Sequence, residues 1–254
     1  MLSDQAFVHW LAALERRHLA SLTFPEVSRA LRALSSAYVE RRGKIADGSA
    51  LSGAGKRAAF ALFYAPLHFL IVEHIVDALK LSRQRASTLV DLGCGTGAAG
   101  AAWANHCPMI QRVIGVDRHP WVLGEAQQTY RAFGVSAEMR QLDIARAIFT
   151  TERAAFVAAF TLNEMDDIPR DALLGRLVQR GENGDSVLVV EPLAGFVAPW
   201  WGKWRNRFVD AGGRADEWRL RTELPPIVAK LDKAAGLDHR EITARSLWIT
   251  GRSG

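Results

Sequence analysis

The first forty residues alternate polar and apolar positions with a helical period. Phe7, Trp10, Leu11 and Leu14 recur at three- and four-residue spacing and predict one amphipathic helix. Thr23-Phe-Pro-Glu26 then supplies an N-cap, an early helical proline and a capping-box glutamate. A second helix follows, with Val27, Ala30, Leu31, Leu34 and Tyr38 on one face. Arg29, Arg32, Arg41 and Arg42 fall elsewhere and read as a solvated surface. The glycine- and serine-rich stretch 43–56 predicts a hinge. Its GAGKR is not a phosphate loop, because no strand precedes it and no Ser or Thr follows the lysine. A third helix is expected from about Arg57 to Leu79, bent or restarted at Pro66.

From residue 86 the texture changes to short β-branched runs alternating with helical segments. The strands expected are Thr88–Leu92, Arg112–Asp117, Ala137–Leu142, Ala155–Phe160 and Ser186–Glu191. Helical patterns between them cover roughly Ala98–His106, Pro120–Phe133 and Pro169–Arg180. Such alternation predicts right-handed crossovers, a mostly parallel sheet with helices on both faces, and ligands at the carboxyl ends of the strands. A last helix over Pro225–Leu237 and two short antiparallel strands, His239–Ala244 and Leu247–Thr250, complete the expectation. The fold class is therefore α/β and Rossmann-like. Residues 1–80 form a helical extension that caps the cleft, and 81–254 form the ligand-binding domain.

Composition narrows this picture a little. The 254 residues are 49% hydrophobic and 23% charged, ordinary for a soluble globular protein. The net charge of +5 permits contact with a phosphate backbone without demanding it. Cys94 and Cys107 make neither a disulfide framework nor a metal cluster and fit a reducing cytoplasm. The apolar stretch Phe60 to Leu79 carries His68, Glu73, His74 and Asp77, which favours a buried helix over a membrane span. The start, MLSDQAFVHW, has an early acid and no apolar core, so no export signal is expected.

The most informative run is Leu89-Val-Asp-Leu-Gly-Cys-Gly-Thr-Gly97, a strand feeding a glycine turn that opens a helix. Gly95-Thr-Gly97-Ala-Ala-Gly100 matches the dinucleotide fingerprint, with Asp117 where a ribose-binding acid belongs, so a nicotinamide-dependent oxidoreductase is one reading. Asp91 argues against it, since an acid beside the loop would repel a pyrophosphate. It suits a cation carrying ammonium and sulfonium groups, S-adenosylmethionine. Asp117 after the second strand would hold the ribose, and Asp143 after the third would accept from the adenine amino group.

In VDLGCGTG at 90–97, GVDRHP at 115–120, QLDI at 141–144 and FTLNEM at 160–165 the chain resembles the class I S-adenosylmethionine-dependent methyltransferases. The resemblance implies a seven-stranded sheet. Gly93, Cys94, Gly95 and Gly97 would lie along the cofactor, Asp117 at the ribose, and Asp143 with Ile144 at adenine. Asp91, Arg118 and Thr161 join this cofactor set. LRALSSAYVERR, RAAFALFYAPLHF, GTGAAGAAWA and VLVVEPLAGF are more distantly similar to methyltransferase-like proteins associated with the small ribosomal subunit. Many of those carry extra cysteines that bind an iron–sulfur cluster. This chain, with Cys94 and Cys107 alone, departs from them there.

Acceptor chemistry is expected after the fourth strand, where Asn163 and Glu164 could hydrogen-bond a substrate as catalytic residues. Asn163, Asp166 or Asp167 could equally cap the helix entered at Pro169. Tyr64 and His68, one turn apart around Pro66, are either a lid over the cleft or polar handles on a buried helix. His119 either meets the ribose or simply precedes a helix. The run from Pro199 to Arg221 interleaves four Trp with basic residues, so Trp201 and Arg205 could contact an RNA or another substrate. Tryptophans at helical spacing also suit core packing. The expected function is methyl transfer to an RNA, ribosomal RNA included, or to a small molecule. The alternative is a ribosome-assembly protein that binds the cofactor without using it.

Overall fold

Residues 2–40, 51–149, 152–193 and 198–250 are described by the computed structural model of the chain. Arg41, Arg42 and most of the expected hinge at 43–56 lie outside the described residues, as does the side chain of Tyr38.

The β-branched runs become strands where the sequence places them. They are β1 (Thr88–Leu92), β2 (Arg112–Asp117), β3 (Ser136–Gln141), β4 (Ala155–Ala159) and β5 (Ser186–Glu191), all mutually parallel. The sheet closes with β6 (Arg214–Leu220) and β7 (Ile242–Thr250) in the order β3-β2-β1-β4-β5-β7-β6. Only β7 runs against the rest, antiparallel to both β5 and β6. The order reverses between β1 and β4, which opens the crevice where such sheets take ligands.

The end of the chain corrects the sequence reading. His239–Ala244 and Leu247–Thr250 are not two strands, because Ile242–Thr250 is one strand. Its polar centre, Arg245-Ser246, reads as a turn but is buried within the strand. The Trp218 indole donates to Ser246 Oγ at 2.8 Å, and the Arg245 guanidinium stacks 4.3 Å from the Trp201 ring. The strand beside it comes from the tryptophan-rich run, which splits into a helix and β6.

Helices cover both faces. α1 (Leu2–His18), α2 (Phe24–Glu40), α3 (Ala54–Ala59), α4 (Ala65–Ala78), α5 (Ala98–His106), α6 (Pro120–Ala132) and α9 (Pro226–Ala235) build the side that holds Leu89, Val113, Val157 and Leu188. α7 (Asp167–Glu182) and α8 (Trp201–Asp210) cover Val90, Leu92, Val187 and Val189 on the other. The N-terminal helices share their core with the sheet. Trp10 donates to Thr129 Oγ1 at 3.1 Å, and Arg17 and His18 meet Glu125, which fastens α1 to α6. At the start of α2 the Glu26 carboxylate reaches back to the Thr23 N–H at 2.7 Å, one arm of the expected capping box.

The third helix starts earlier than expected and does not break. α3 runs through a π-helical turn, Phe60–Tyr64, into α4. The wider turn lies just before Pro66, whose ring has no N–H to give and crowds the preceding turn. Ala54–Ala78 is long and apolar enough to cross a membrane, yet most of it is buried, with Phe63, Phe69, Ile71 and Ile75 fully enclosed by the fold.

Candidate functional site

At the carboxyl end of β1 the chain turns through Gly93 (φ 66°), Gly95 (φ 50°) and Gly97 (φ 82°). Gly93 is required twice over: its φ is left-handed, and a Cβ there would collide with the Thr161 side chain. Gly97 packs on the α6 backbone at Ala126. The loop is pinned to β2, because Val116 O accepts from both Gly93 N–H (2.8 Å) and Cys94 N–H (3.0 Å).

Asp117 at the tip of β2 fastens the same loop by its side chain. Its Oδ2 accepts from Gly95 N–H at 3.1 Å, and its Oδ1 from His119 N–H at 2.9 Å. His119 in turn caps α6, its Nδ1 accepting from Trp121 N–H at 3.2 Å. Asp143 after β3 accepts from Ala145 N–H at 2.8 Å through Oδ1, and its carboxylate, lining the cleft, has further lone pairs to offer a ligand.

These residues surround an open cleft with about 650 Å³ of atom-free space. Of the residues expected at a cofactor, Gly93, Asp117, Arg118, Asp143, Ile144 and Thr161 line it, together with Glu164. The donor set fits S-adenosylmethionine. Carboxylate oxygens with lone pairs to spare meet hydroxyl and amino groups, and an acidic wall suits a cationic ligand.

Asp91 does not join them. Alternation along β1 puts it on the face of Leu89, beneath α5 and α6. There its Oδ2 accepts from Gly100 N–H (2.9 Å) and from the Tyr130 hydroxyl (2.7 Å). It is almost wholly buried, and burial pushes its pKa up to about 7 against the lowering by those two hydrogen bonds. The repulsion argued for Asp91 therefore belongs to Asp117 and Asp143. Cys94 is also buried, its sulfur against the place where a Gly115 side chain would stand, and burial raises its thiol well above the ordinary value.

The turn after β4 separates its two candidates. Phe160 takes φ 57°, rare for an aromatic residue, and a 3₁₀ turn over Leu162–Glu164 follows. Glu164 lines the cleft 3.8 Å from the Arg118 guanidinium. Burial pushes its pKa up to about 7, opposed by Arg118 and aided by Asp117. Asn163 instead turns away and donates its amide to Glu191. Asp166 flanks α7, and no side-chain cap from it is formed.

Tyr64 and His68 stand on the other side of that turn. The His68 ring stacks on Phe160 at 4.0 Å and 15°, with Phe60 edge-on at 6.3 Å and Tyr64 6.2 Å away. Phe60 is also the side chain nearest to Gly95 on its open side. Burial pushes the His68 pKa down to about 4, so the imidazole is neutral at pH 7.

Of the two readings of the tryptophan-rich run, the helix takes the core-packing one. Trp201 and Trp204 are on the buried face of α8, while Arg205 and Arg207 project from its exposed face. A helix with tryptophans at i and i+3 puts both into one apolar stripe, and here that stripe covers the sheet. Sequence reasoning missed Tyr130, Gly100 and Glu191. Tyr130 and Glu191 act on residues 39 and 29 positions away, and Gly100 on one nine positions back across the glycine loop, which linear spacing does not reveal.

The family model described as "Methyltransferase domain" matches residues 89–180. Among solved structures, the chain is similar to the mitomycin 7-O-methyltransferase MmcR, at 16% identity and a TM-score of 0.54 over 95% of this chain and 72% of that one. It is also similar to the plantazolicin methyltransferase BpumL in complex with a monoazolic desmethylPZN analog and SAH (10% identity, 89% and 97% covered, TM-score 0.50). A third is the methyltransferase domain of bacterial CtHen1-CN (15% identity, 72% and 99% covered, TM-score 0.50). At these identities the likeness is one of fold. No curated protein matches the chain by sequence. With the glycine loop, the strand-end acids and the sheet order, the family match makes residues 89–180 a class I S-adenosylmethionine-dependent methyltransferase domain, with S-adenosylmethionine as its cofactor.

Proposed function

We propose that this chain is an active methyltransferase that methylates a proton-bearing heteroatom of a small, planar, partly apolar molecule. The single observation that carries the reading is the place of Glu164, a half-buried carboxyl group lining the cleft with Asp117 and Thr161, 3.8 Å from Arg118, with its pKa raised to about 7. A general base works best when its pKa lies near the working pH. The cofactor supplies an electrophilic sulfonium methyl group. Asp117 and Asp143 hold the ribose and adenine ends, and Gly93 and Gly95 let the ligand approach the backbone. Glu164 takes the proton that the acceptor must lose, and Arg118 steadies the carboxylate before that step.

Phe60, Tyr64, His68 and Phe160 support the small-molecule half of the proposal. They are half-buried and grouped beside the turn that carries Glu164, as a slot for a flat acceptor would be. A cytoplasmic location belongs to the same proposal, with two unpaired, buried cysteines in its favour.

Incubation with methyl-labelled S-adenosylmethionine and a panel of aromatic hydroxyl and amine compounds, beside ribosomal RNA, tests the reading. Label in the small molecules supports it. Label confined to RNA would transfer the proposal to the basic face of α8. Tight binding of S-adenosylhomocysteine with no label anywhere would favour the assembly-protein alternative.

A further inference from the structure

The turn that presents Glu164 is held from behind by β5. Phe160 N–H donates to Val190 O at 2.8 Å, which fixes where the chain leaves β4. The next residue of β5, Glu191, has no solvent exposure and contacts the turn twice. Its Oε1 accepts from Leu162 N–H at 2.9 Å, and its Oε2 accepts from the Asn163 side-chain amide. Leu162 itself is fully buried, so the turn is anchored by one apolar side chain and two polar links. Asn163 and Glu164 consequently point to opposite sides, one onto Glu191 and the other into the cleft.

A carboxyl group at the end of an otherwise apolar strand is costly, and it needs a reason. Val187, Leu188, Val189 and Val190 before it are all buried hydrophobics. A carboxyl group offers two oxygens in one rigid plane, one to accept the Leu162 N–H and one to meet the Asn163 amide, and burial pushes its pKa up to about 8 against the Leu162 link and Arg245. A positive charge faces it from across the sheet. Arg245 on β7 is the register partner of Glu191, and Arg245 is in turn the partner of Glu217 on β6. With the like charge of Glu164 on the turn, these are the charged groups that face Glu191.

We propose that Glu191 is a positioning residue for the methyl-transfer site: by holding Leu162 and Asn163 it keeps the 3₁₀ turn closed and Glu164 in the cleft. The proposal rests on the reading of Glu164 as the base, and it adds the device that puts the base in place. Loss of the two links frees the turn, and Glu164 moves toward water.

The test uses the full chain with labelled glutamate carboxyl carbons, in wild type, Glu191→Gln and Glu191→Leu. A glutamine keeps both links if the Asn163 amide rotates, since its oxygen accepts from Leu162 and its NH₂ donates to Asn163 Oδ1. A leucine fills the space and keeps neither. Glu164 is expected to titrate at about 7 in wild type and near there in Glu191→Gln, but to fall toward 4.5 in Glu191→Leu. The Leu162 amide is expected to exchange at least about tenfold faster in Glu191→Leu and within about threefold of wild type in Glu191→Gln. Affinity for S-adenosylhomocysteine stays within about threefold in all three, which separates positioning from collapse of the cofactor site. Identical titration and exchange in wild type and Glu191→Leu would overturn the proposal. A wild-type Glu164 that titrates near 4.5, with the exchange contrast intact, supports the clamp and contradicts the base. If Glu191→Leu does not fold, Asn163→Leu removes one link and must give an intermediate exchange rate. An unchanged rate there overturns the proposal too.

Discussion

The Tyr130 hydroxyl donates to Asp91 Oδ2 at 2.7 Å, inside the core and 39 residues away in sequence. The same oxygen accepts from Gly100 at the start of α5, so one carboxyl group joins β1, α5 and α6 beneath the glycine loop. Gly100 has no room for a side chain, because a Cβ there would collide with Asp91 and crowd Tyr130.

This arrangement makes stability depend on pH with a definite sign. Asp91 has a folded pKa of about 7 against an ordinary 3.8, so the folded protein binds its proton more tightly. Its contribution is fully present below about 4 and is lost as pH rises to about 7. Asp91→Asn removes that loss. Denaturant titrations should show the variant gaining on wild type by about 2–4 kcal/mol between pH 4 and 7, with no further change above. A pH-independent difference would mean that Asp91 is not held protonated by its burial.

Gly93 should tolerate no side chain. Gly93→Ala meets both a left-handed φ and the Thr161 side chain, a combined cost of at least about 1 kcal/mol. Because the strain falls on the cleft, affinity for S-adenosylhomocysteine should drop about tenfold or more while the protein stays folded. Calorimetry beside a thermal melt checks both.

Glu164→Gln should lower methyl transfer by about 10²–10⁴-fold at pH 8, provided the acceptor loses a proton. In wild type, kcat should rise with pH through about 7, since the base acts when ionised. The glutamine variant should lack that rise. A rise that persists in Glu164→Gln assigns the titration to another group.

On α8 the tryptophans and arginines should separate cleanly. Trp204 is fully buried and stacks with Phe208, so Trp204→Ala should cost about 3–5 kcal/mol of stability. Arg205→Ala with Arg207→Ala lies on the exposed face and should change stability by no more than about 0.5 kcal/mol. Methyl transfer to a small molecule should be unaffected by the pair. Loss of salt-dependent RNA binding in the pair would instead point to a nucleic-acid acceptor.

What could be read from the sequence follows the range of the interaction. β1, β2 and β5 have the bounds expected of them, since each is a β-branched run closed by a turn residue or an acid. The glycine loop and the acids at 117 and 143 were legible because ligand-binding backbone and strand ends have local signatures. β7 was not, because Arg245 and Ser246 are polar in the middle of a strand, and their partners, Trp201 and Trp218, come from other elements. Asp91 was assigned to the ligand by its nearness to the glycines, while strand alternation turns it into the core. Glu191 went unnoticed for the same reason: nothing beside it in sequence shows that it clasps the turn at Leu162 and Asn163.

A cofactor site built on Asp117 is open to calorimetric titration with S-adenosylhomocysteine. Wild type should bind in the micromolar range, about −8 kcal/mol at a Kd near 1 μM. Asp117→Ala, which loses the Gly95 link and the proposed ribose contact, should weaken binding about thirtyfold or more without unfolding the protein. No binding by folded, ligand-free wild type, or equal binding by both proteins, would contradict the account.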